Sequence, residues 1–508
     1  MSEVLFGQSY YPRFDPKLWR AMQPYPPLGT LYAAAALRQR GREVALFDAM
    51  LAESEAEWDA ALREQRPRFA VLYEDNFNYL SKMCLSRMRQ AAITMLAAAR
   101  ARGARALVCG SDATDHPEPY LDAGADFVLA GEGEQTLAEL LDQLEGRGGV
   151  SLESLAGLVF RTPDGTLLRT PRRPVLRDLD ALPLPAWDLV DVERYRRLWL
   201  ERHGYYSVNM VTTRGCPYHC NWCAKPIWGQ TYHSRSPENV VEEMLYLKRF
   251  RPDHVWFADD ILGLAPGWLP RFAAQVEARD ARIPFKCLSR VDLLLRPGEI
   301  DALRRAGCQS VWVGAESGAQ RILDAMEKGT RVEQIREAAA GLKAAGLRVG
   351  FFLQFGYPGE GLPEVAATRR LLRECAPDEI GISVSYPLPG TPFHERVRGQ
   401  LGSKRNWVDS EDLAMMYAGP FDTAFYRSLY RVVQKEFARD RAWRSLRARR
   451  LWELGPRDLR RLLACVFHAA TLPFARLHLR LRALLSRRGD LGLEPALTPE
   501  QAARPAPQ

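Results

Sequence analysis

Three cysteines, Cys216, Cys220 and Cys223, stand in the spacing C-x3-C-x2-C behind the run Val211-Thr212-Thr213-Arg214-Gly215. Three thiolates this close can hold three irons of a four-iron cluster and leave the fourth iron open to a ligand. A structural zinc site needs a fourth donor, and the sequence has no second C-x2-C pair to complete a ribbon. Nine cysteines in 508 residues produce these three offsets by chance in about three chains per thousand. Chance clustering and half a zinc ribbon are the bland alternatives to a cluster.

The segment resembles the cluster loop of the radical S-adenosylmethionine superfamily. That resemblance implies a four-iron, four-sulfur cluster on Cys216, Cys220 and Cys223 whose open iron chelates the methionyl end of S-adenosylmethionine. Reduction of the sulfonium would release a 5'-deoxyadenosyl radical, chemistry that belongs to the cofactor and that the protein positions.

A chain of 508 residues exceeds one ordinary core, so two or three domains are expected. With 47% hydrophobic and 26% charged residues the composition is that of a soluble globular protein. The formal charge of +8 is modest and gathers in an Arg-rich carboxyl-terminal third. This argues against a general nucleic-acid binder and leaves a local anionic or membrane-surface contact open. The cysteines are odd in number, and Met1–Gly7 lacks a basic start and a long apolar run, so a reducing cytoplasm is expected. No run reaches the eighteen or so apolar residues of a membrane span.

Elements able to position the cluster follow from the hydrophobic pattern. Residues 1–150 alternate strands (Glu43–Asp48, Phe69–Tyr73, Ala106–Gly110, Asp126–Ala130) with helices (Gly29–Arg40, Ser54–Gln65, Met83–Arg102, Gln135–Leu144), the rhythm of a parallel doubly wound sheet. Residues 151–205 read as a connector with a small hairpin around Pro163-Asp164-Gly165 and a proline-rich stretch, Leu179–Leu189. From 206 to 395 about six strands recur, the second ending in Asp259-Asp260, others at Phe285–Arg290, Ser310–Gly318, Arg348–Gly356 and Glu379–Tyr386. Residues 396–493 read as basic helices, Arg427–Arg450 and Pro456–Arg487, and 494–508 as a disordered tail. The uncharged run Leu462–Ala475 is open to two readings, a helix packed on the barrel or one lying in a membrane interface.

The first 150 residues look like the cobalamin-binding domain of cobalamin-dependent radical S-adenosylmethionine enzymes. The resemblance rests on Tyr25-Pro26-Pro27-Leu28-Gly29, on Val108–Thr114 with Gly110, and on Ala125–Glu134 with Gly131, Glu132, Gly133 and Glu134. It implies that Gly110, Gly131, Glu132, Gly133 and Glu134 lie at cobalamin; alternatively the glycines only turn the chain. The Asp-x-His-x-x-Gly signature is absent, so the lower face of cobalt would meet water or the loop Glu74–Asn78. A vestigial domain that binds no cobalamin is the rival.

The later strands resemble the partial (β/α)6 barrel of the superfamily, whose chemistry collects at strand carboxyl ends. The resemblance sets Asp259 and Asp260 at the methionine amino group, Ser289 and Arg290 at the ribose and carboxylate, and Glu316 against the cofactor. Helix capping is the bland reading of Asp259 and Glu316. The order of motifs is most like the group containing anaerobic magnesium-protoporphyrin monomethyl ester cyclase and the phosphinate methyltransferases. The expected activity is methyl transfer to an unactivated carbon of a small molecule, with electrons from a donor such as flavodoxin or ferredoxin. An oxidative cyclase or other radical rearrangement, and a non-catalytic cobalamin or cluster sensor, are the alternatives.

Overall fold

The computed structural model describes residues 2–78, 85–225, 227–401, 406–447 and 456–486. Cys84, the last turn expected of the first basic helix (448–450) and the tail at 494–508 lie outside the described residues.

The first sheet holds β1 (Val4–Gly7), β2 (Val44–Leu46), β3 (Phe69–Tyr73), β4 (Arg105–Cys109), β5 (Phe127–Leu129), β6 (Leu158–Arg161) and β7 (Leu167–Arg169). Its order is β2-β1-β3-β4-β5-β6-β7, with β1 to β5 parallel and the hairpin β6–β7 added antiparallel. The hairpin read from sequence as connector thus extends this sheet. Side chains alternate between two cores. Leu5, Ala70, Leu72 and Val108 pack under the helices Glu55–Gln65 and Ser86–Ala101, while Phe6, Val71, Leu107 and Leu129 pack under Leu28–Gln39 and Glu134–Leu144. The strand order reverses between β1 and β3, the crevice at which ligands of such sheets lie.

The second sheet follows β8 (Ser207–Met210), after which β9 (Thr213–Arg214) and β10 (His233–Ser234) pair antiparallel and bracket the cysteine loop. It continues with β11 (His254–Phe257), β12 (Phe285–Ser289), β13 (Cys308–Glu316), β14 (Arg348–Phe355) and β15 (Glu379–Val384). The six strands, ordered β15-β14-β13-β12-β11-β8, are all parallel, as expected of the partial barrel. One face is mostly apolar, with Val208, Phe257, Cys287, Val311 and Phe351 sealed beneath helices. The other carries Trp256, Lys286, Trp312 and Phe352 and stays partly open.

The first domain reaches onto that open face. The Tyr25 hydroxyl lies 3.0 Å from Ser207 Oγ, Asn209 donates to the Pro26 carbonyl at 2.9 Å, and the Tyr25 ring sits 4.9 Å from Trp256.

The helices Thr423–Arg447 and Pro456–Leu485 pack antiparallel, tied at Asp422–Ser486 (2.7 Å) and Glu436–Arg476 (2.6 Å). Contrary to the sequence reading, Leu462–Leu485 is long and apolar enough, by length and composition, to cross a membrane, because its apolar periodicity continues past Arg476 and Arg480.

Candidate functional site

The cysteine loop leaves β9 through Gly215, whose φ is +81°; a β-carbon there would meet the Thr231 carbonyl oxygen at 2.3 Å, so glycine is required. The approach is fixed by Asp259, which is 1% exposed. Its Oδ1 accepts the Thr212 and Thr213 amides at 2.8 and 2.7 Å and the Thr213 hydroxyl at 2.7 Å; its Oδ2 accepts the Thr212 hydroxyl at 3.1 Å. Both oxygens of Asp259, expected at the methionine amino group, thus face the chain leading into the loop. Asp260, exposed, is the carboxylate on the cysteine side. Burial raises the Cys216 and Cys223 thiols, the latter to about 12, and the charge of Asp260 adds to the rise at both.

Asn221, between the second and third cysteines, is 1% exposed and pins the loop to the barrel. Its amide donates to the Met326 carbonyl at 3.1 Å and its Nδ2 to the Ala325 carbonyl at 2.8 Å, while the Phe393 amide donates to its carbonyl at 3.0 Å. The Tyr357 hydroxyl lies 2.8 Å from Asn221 Oδ1. The segment Ala325–Lys328 continues this brace. The Lys328 carbonyl accepts from Arg290 at 3.0 Å, and Lys328 Nζ pairs with Glu316 at 2.9 Å.

Glu316 closes β13 at φ +54°, a strained conformation for a residue with a β-carbon. Gly314 clears room for the pair, since a β-carbon there would stand 2.4 Å from Glu316 Oε1 and 2.5 Å from Lys328 Nζ. Burial opposes the ammonium charge of Lys328, yet Glu316 and Cys220 outweigh it and hold the pKa above its ordinary value. The Arg290 guanidinium lies 3.5 Å over the Tyr218 ring of the cysteine loop and 3.0 Å from Asp292. Ser289 is buried at the end of β12. The expected cofactor residues Asp260, Ser289, Arg290 and Glu316 therefore stand at successive strand ends around the loop. Among the described residues, the buried polar atoms without a partner include Trp222 Nε1 in the loop and Gln354 Oε1 near the end of β14. An orphaned donor and acceptor at the strand ends fit a bound polar cofactor.

In the first domain the glycines admit close approach of the chain. A β-carbon on Gly133 would meet Cys109 Sγ at 2.5 Å, and one on Gly110 would meet Glu74 Cβ at 2.9 Å; Gly131 turns at φ +85°. Glu132 and Glu134 reach across to the second domain, where their carboxylates accept from the two terminal nitrogens of Arg214 at 2.5 and 2.6 Å. All three side chains are buried, and the two acids hold the guanidinium well above its ordinary pKa against the opposing effect of burial. The two acids expected at cobalamin thus form this clamp with Arg214. At the β1–β3 crevice Glu74 accepts the Ser9 amide through both oxygens, at 3.1 and 3.2 Å, and burial raises it to about 7. Asn76 and Ser111 meet beside it at 3.1 Å. This buried polar rim at the strand ends fits a large polar cofactor in the crevice.

Arg214, Asn221 and Lys328 were not singled out by sequence. The signal available was position alone: Arg214 and Asn221 lie within the cysteine motif itself.

Residues 20–141 match the B12 binding domain and residues 210–372 the radical SAM superfamily. An uncharacterised methyltransferase of Pyrococcus horikoshii is 29% identical over 56% of this chain and 60% of its own. The anaerobic magnesium-protoporphyrin IX monomethyl ester cyclase of Rubrivivax gelatinosus is 27% identical over 58% and 51%. The hopanoid C-3 methylase of Methylococcus capsulatus is 25% identical over 83% and 78%. The chain thus spans little more than half the length of the first two relatives. Among solved structures, the radical S-adenosylmethionine methyltransferase TsrM of Kitasatospora setae superposes with a TM-score of 0.62 at 20% identity over 78% of this chain and 75% of that one. The cobalamin-dependent radical enzyme OxsB gives 0.67 at 16% over 96% and 72%; both show the shared fold. The superfamily match decides between the zinc and cluster readings of the three cysteines in favour of the cluster.

Proposed function

The chain belongs to the radical S-adenosylmethionine enzymes that carry a B12 binding domain, and from that premise we propose that it methylates an unactivated carbon of a small-molecule acceptor. When bound, the cluster and S-adenosylmethionine supply a 5'-deoxyadenosyl radical that takes a hydrogen atom, and cobalamin carries the methyl group. The chain's own residues bind and orient. Cys216, Cys220 and Cys223 hold the cluster, Asp260 takes the methionine ammonium, and Ser289 and Arg290 the ribose and carboxylate. Glu316 and Lys328, neutralising each other beside Cys220, offer a carboxylate and an ammonium to the same cofactor.

The observation that carries the reading is Arg214. Two residues from Cys216, it locks the cluster loop onto the strand-end turn Gly131–Glu134 of the first domain. Two cofactor domains held at a fixed distance suit a reaction in which one activates a carbon and the other delivers a group to it. The half-open Trp312–Phe352 ring pair, 4.8 Å apart on the barrel's open face, gives an apolar acceptor a surface. A lipid acceptor agrees with the hopanoid methylase relative. A reducing cytoplasm and a donor such as flavodoxin or ferredoxin suit an oxygen-labile cluster.

The test is product analysis after anaerobic turnover. S-adenosylhomocysteine and 5'-deoxyadenosine together are expected. 5'-Deoxyadenosine without S-adenosylhomocysteine overturns methyl transfer in favour of the cyclase chemistry named for the Rubrivivax relative.

A further inference from the structure

The helix Pro456–Leu485 carries two apolar faces, of which the protein covers one. On the covered side Leu472, Leu479 and Ala483 are buried with Leu429, Val432 and Val433 of the helix Thr423–Arg447. On the opposite side stand Leu463, Phe467, Phe474, Leu477, Leu481 and Leu484, between 49% and 82% exposed. At 100° per residue these six share an arc of about 100° and form a row about 32 Å long. Arg480 and Arg482 fall about 100° to either side of that row. No aspartate or glutamate occurs between residues 462 and 486.

We propose that this row docks the protein on the surface of an anionic lipid bilayer, with the helix lying in the plane of the interface. The apolar side chains would sit at the headgroup–acyl boundary, while Arg480 and Arg482 lay their methylene stems along the same surface and turn their guanidinium groups to lipid phosphates. An unbroken apolar row on one helix, rather than scattered single side chains, marks an interaction surface. Its cationic flanks choose the occupant. A second copy meeting this row would bring arginine against arginine with no acid between residues 462 and 486 of either copy to offset them, whereas anionic headgroups complement both flanks. Spanning is disfavoured by the covered face: Leu472 and Leu479 are packed in the protein core, and Arg476 is held by Glu436 at 2.6 Å. Those contacts would have to be given up to place the helix across a bilayer. This docking does not depend on which acceptor is methylated.

The full chain, loaded with cluster and cobalamin, is sedimented with phosphatidylcholine vesicles and with vesicles that also contain phosphatidylglycerol. Anionic vesicles are expected to retain about tenfold more protein, with retention weakened by salt. The double variant Phe474→Ser, Leu484→Ser alters the two most exposed side chains of the row, at 75% and 82%. It is expected to lower retention about tenfold while iron, cobalt and melting temperature stay unchanged. Equal retention of variant and parent, or no retention of the parent on either vesicle, overturns the proposal. A concentration-dependent dimer that the variant abolishes, without vesicle binding, assigns the row to a second copy instead and equally overturns it.

Discussion

The guanidinium of Arg214, two residues ahead of the first cluster cysteine, donates to the carboxylate of Glu134 at 2.6 Å across the domain boundary. Glu132 takes its other terminal nitrogen, so one buried cation is forked between two buried acids. Removing the cation strands both carboxylates in a dry interface. Arg214→Ala is expected to cost about 3–5 kcal/mol and to lower iron content along with the melting temperature. Arg214→Lys should be nearly as damaging, because an ammonium cannot fork to both acids. Adding Glu132→Gln and Glu134→Gln to Arg214→Met should recover much of the stability, since no unpaired charge remains. An Arg214→Ala protein that melts with the parent would show that the clamp contributes nothing.

Asp259 and Asp260 are neighbours with separable roles. Asp259→Asn would turn an amide nitrogen toward donors already supplied by Thr212 and Thr213. Loss of iron is expected, with a stability cost of about 2 kcal/mol for the unsatisfied donors. Asp260→Asn should keep its iron and its melting temperature while the KM for S-adenosylmethionine rises about tenfold or more. Iron analysis and steady-state kinetics on the two variants check this, and the reverse pattern would return Asp259 to the cofactor.

Asn221 makes its contacts through backbone and side chain at once, and its Oδ1 faces Tyr357, 136 residues away in sequence. Asn221→Ala should cost about 1–3 kcal/mol and leave the Tyr357 hydroxyl bonded to the Ala325 carbonyl alone, at 2.9 Å. Tyr357→Phe leaves the Asn221 bonds to Met326, Ala325 and Phe393 in place, so its cost should be about 1 kcal/mol, with iron retained. Equal losses in the two variants, read by denaturation and iron content, would contradict the assignment of Asn221 as the hub.

The parts legible in sequence were those whose signal is local. Strands such as Phe69–Tyr73 and Arg348–Phe355 announce themselves as short apolar runs, and the cysteine spacing carries its chemistry on its face. β1 was missed because Val4–Gly7 is four residues buried throughout, with no alternation and no preceding helix to set a rhythm. The site's electrostatics were illegible for a different reason. Glu134 lies 80 residues from Arg214, and nothing in the run Gly131–Glu134 distinguishes an acid facing a cofactor from one facing another domain. Asp259 was read as a cofactor residue from its position after β11; that its oxygens accept from two threonines is a fact of three dimensions.

Glu360 gives the protein a pH dependence of predictable sign. It is 1% exposed, its Oε2 accepts the Gly356 amide at 2.6 Å, its Oε1 has no partner, and burial raises its pKa from 4.5 to about 8. The folded state therefore holds a proton that the unfolded chain releases near pH 4.5, and folding is favoured while that proton stays. As pH rises from 4.5 through 8 the native group must either ionise in a dry site or lose stability, so this contribution falls with pH, by an amount on the order of 4 kcal/mol over the window. Glu360→Gln keeps an acceptor for Gly356 and carries no titratable proton. Denaturation of parent and variant at pH 6 and pH 8.5 should show the variant gaining relative to the parent at the higher pH. The comparison between the two proteins cancels the other titrating groups. If the difference between them does not change with pH, Glu360 is ionised in the folded state and its unpaired oxygen has a partner supplied from outside the chain.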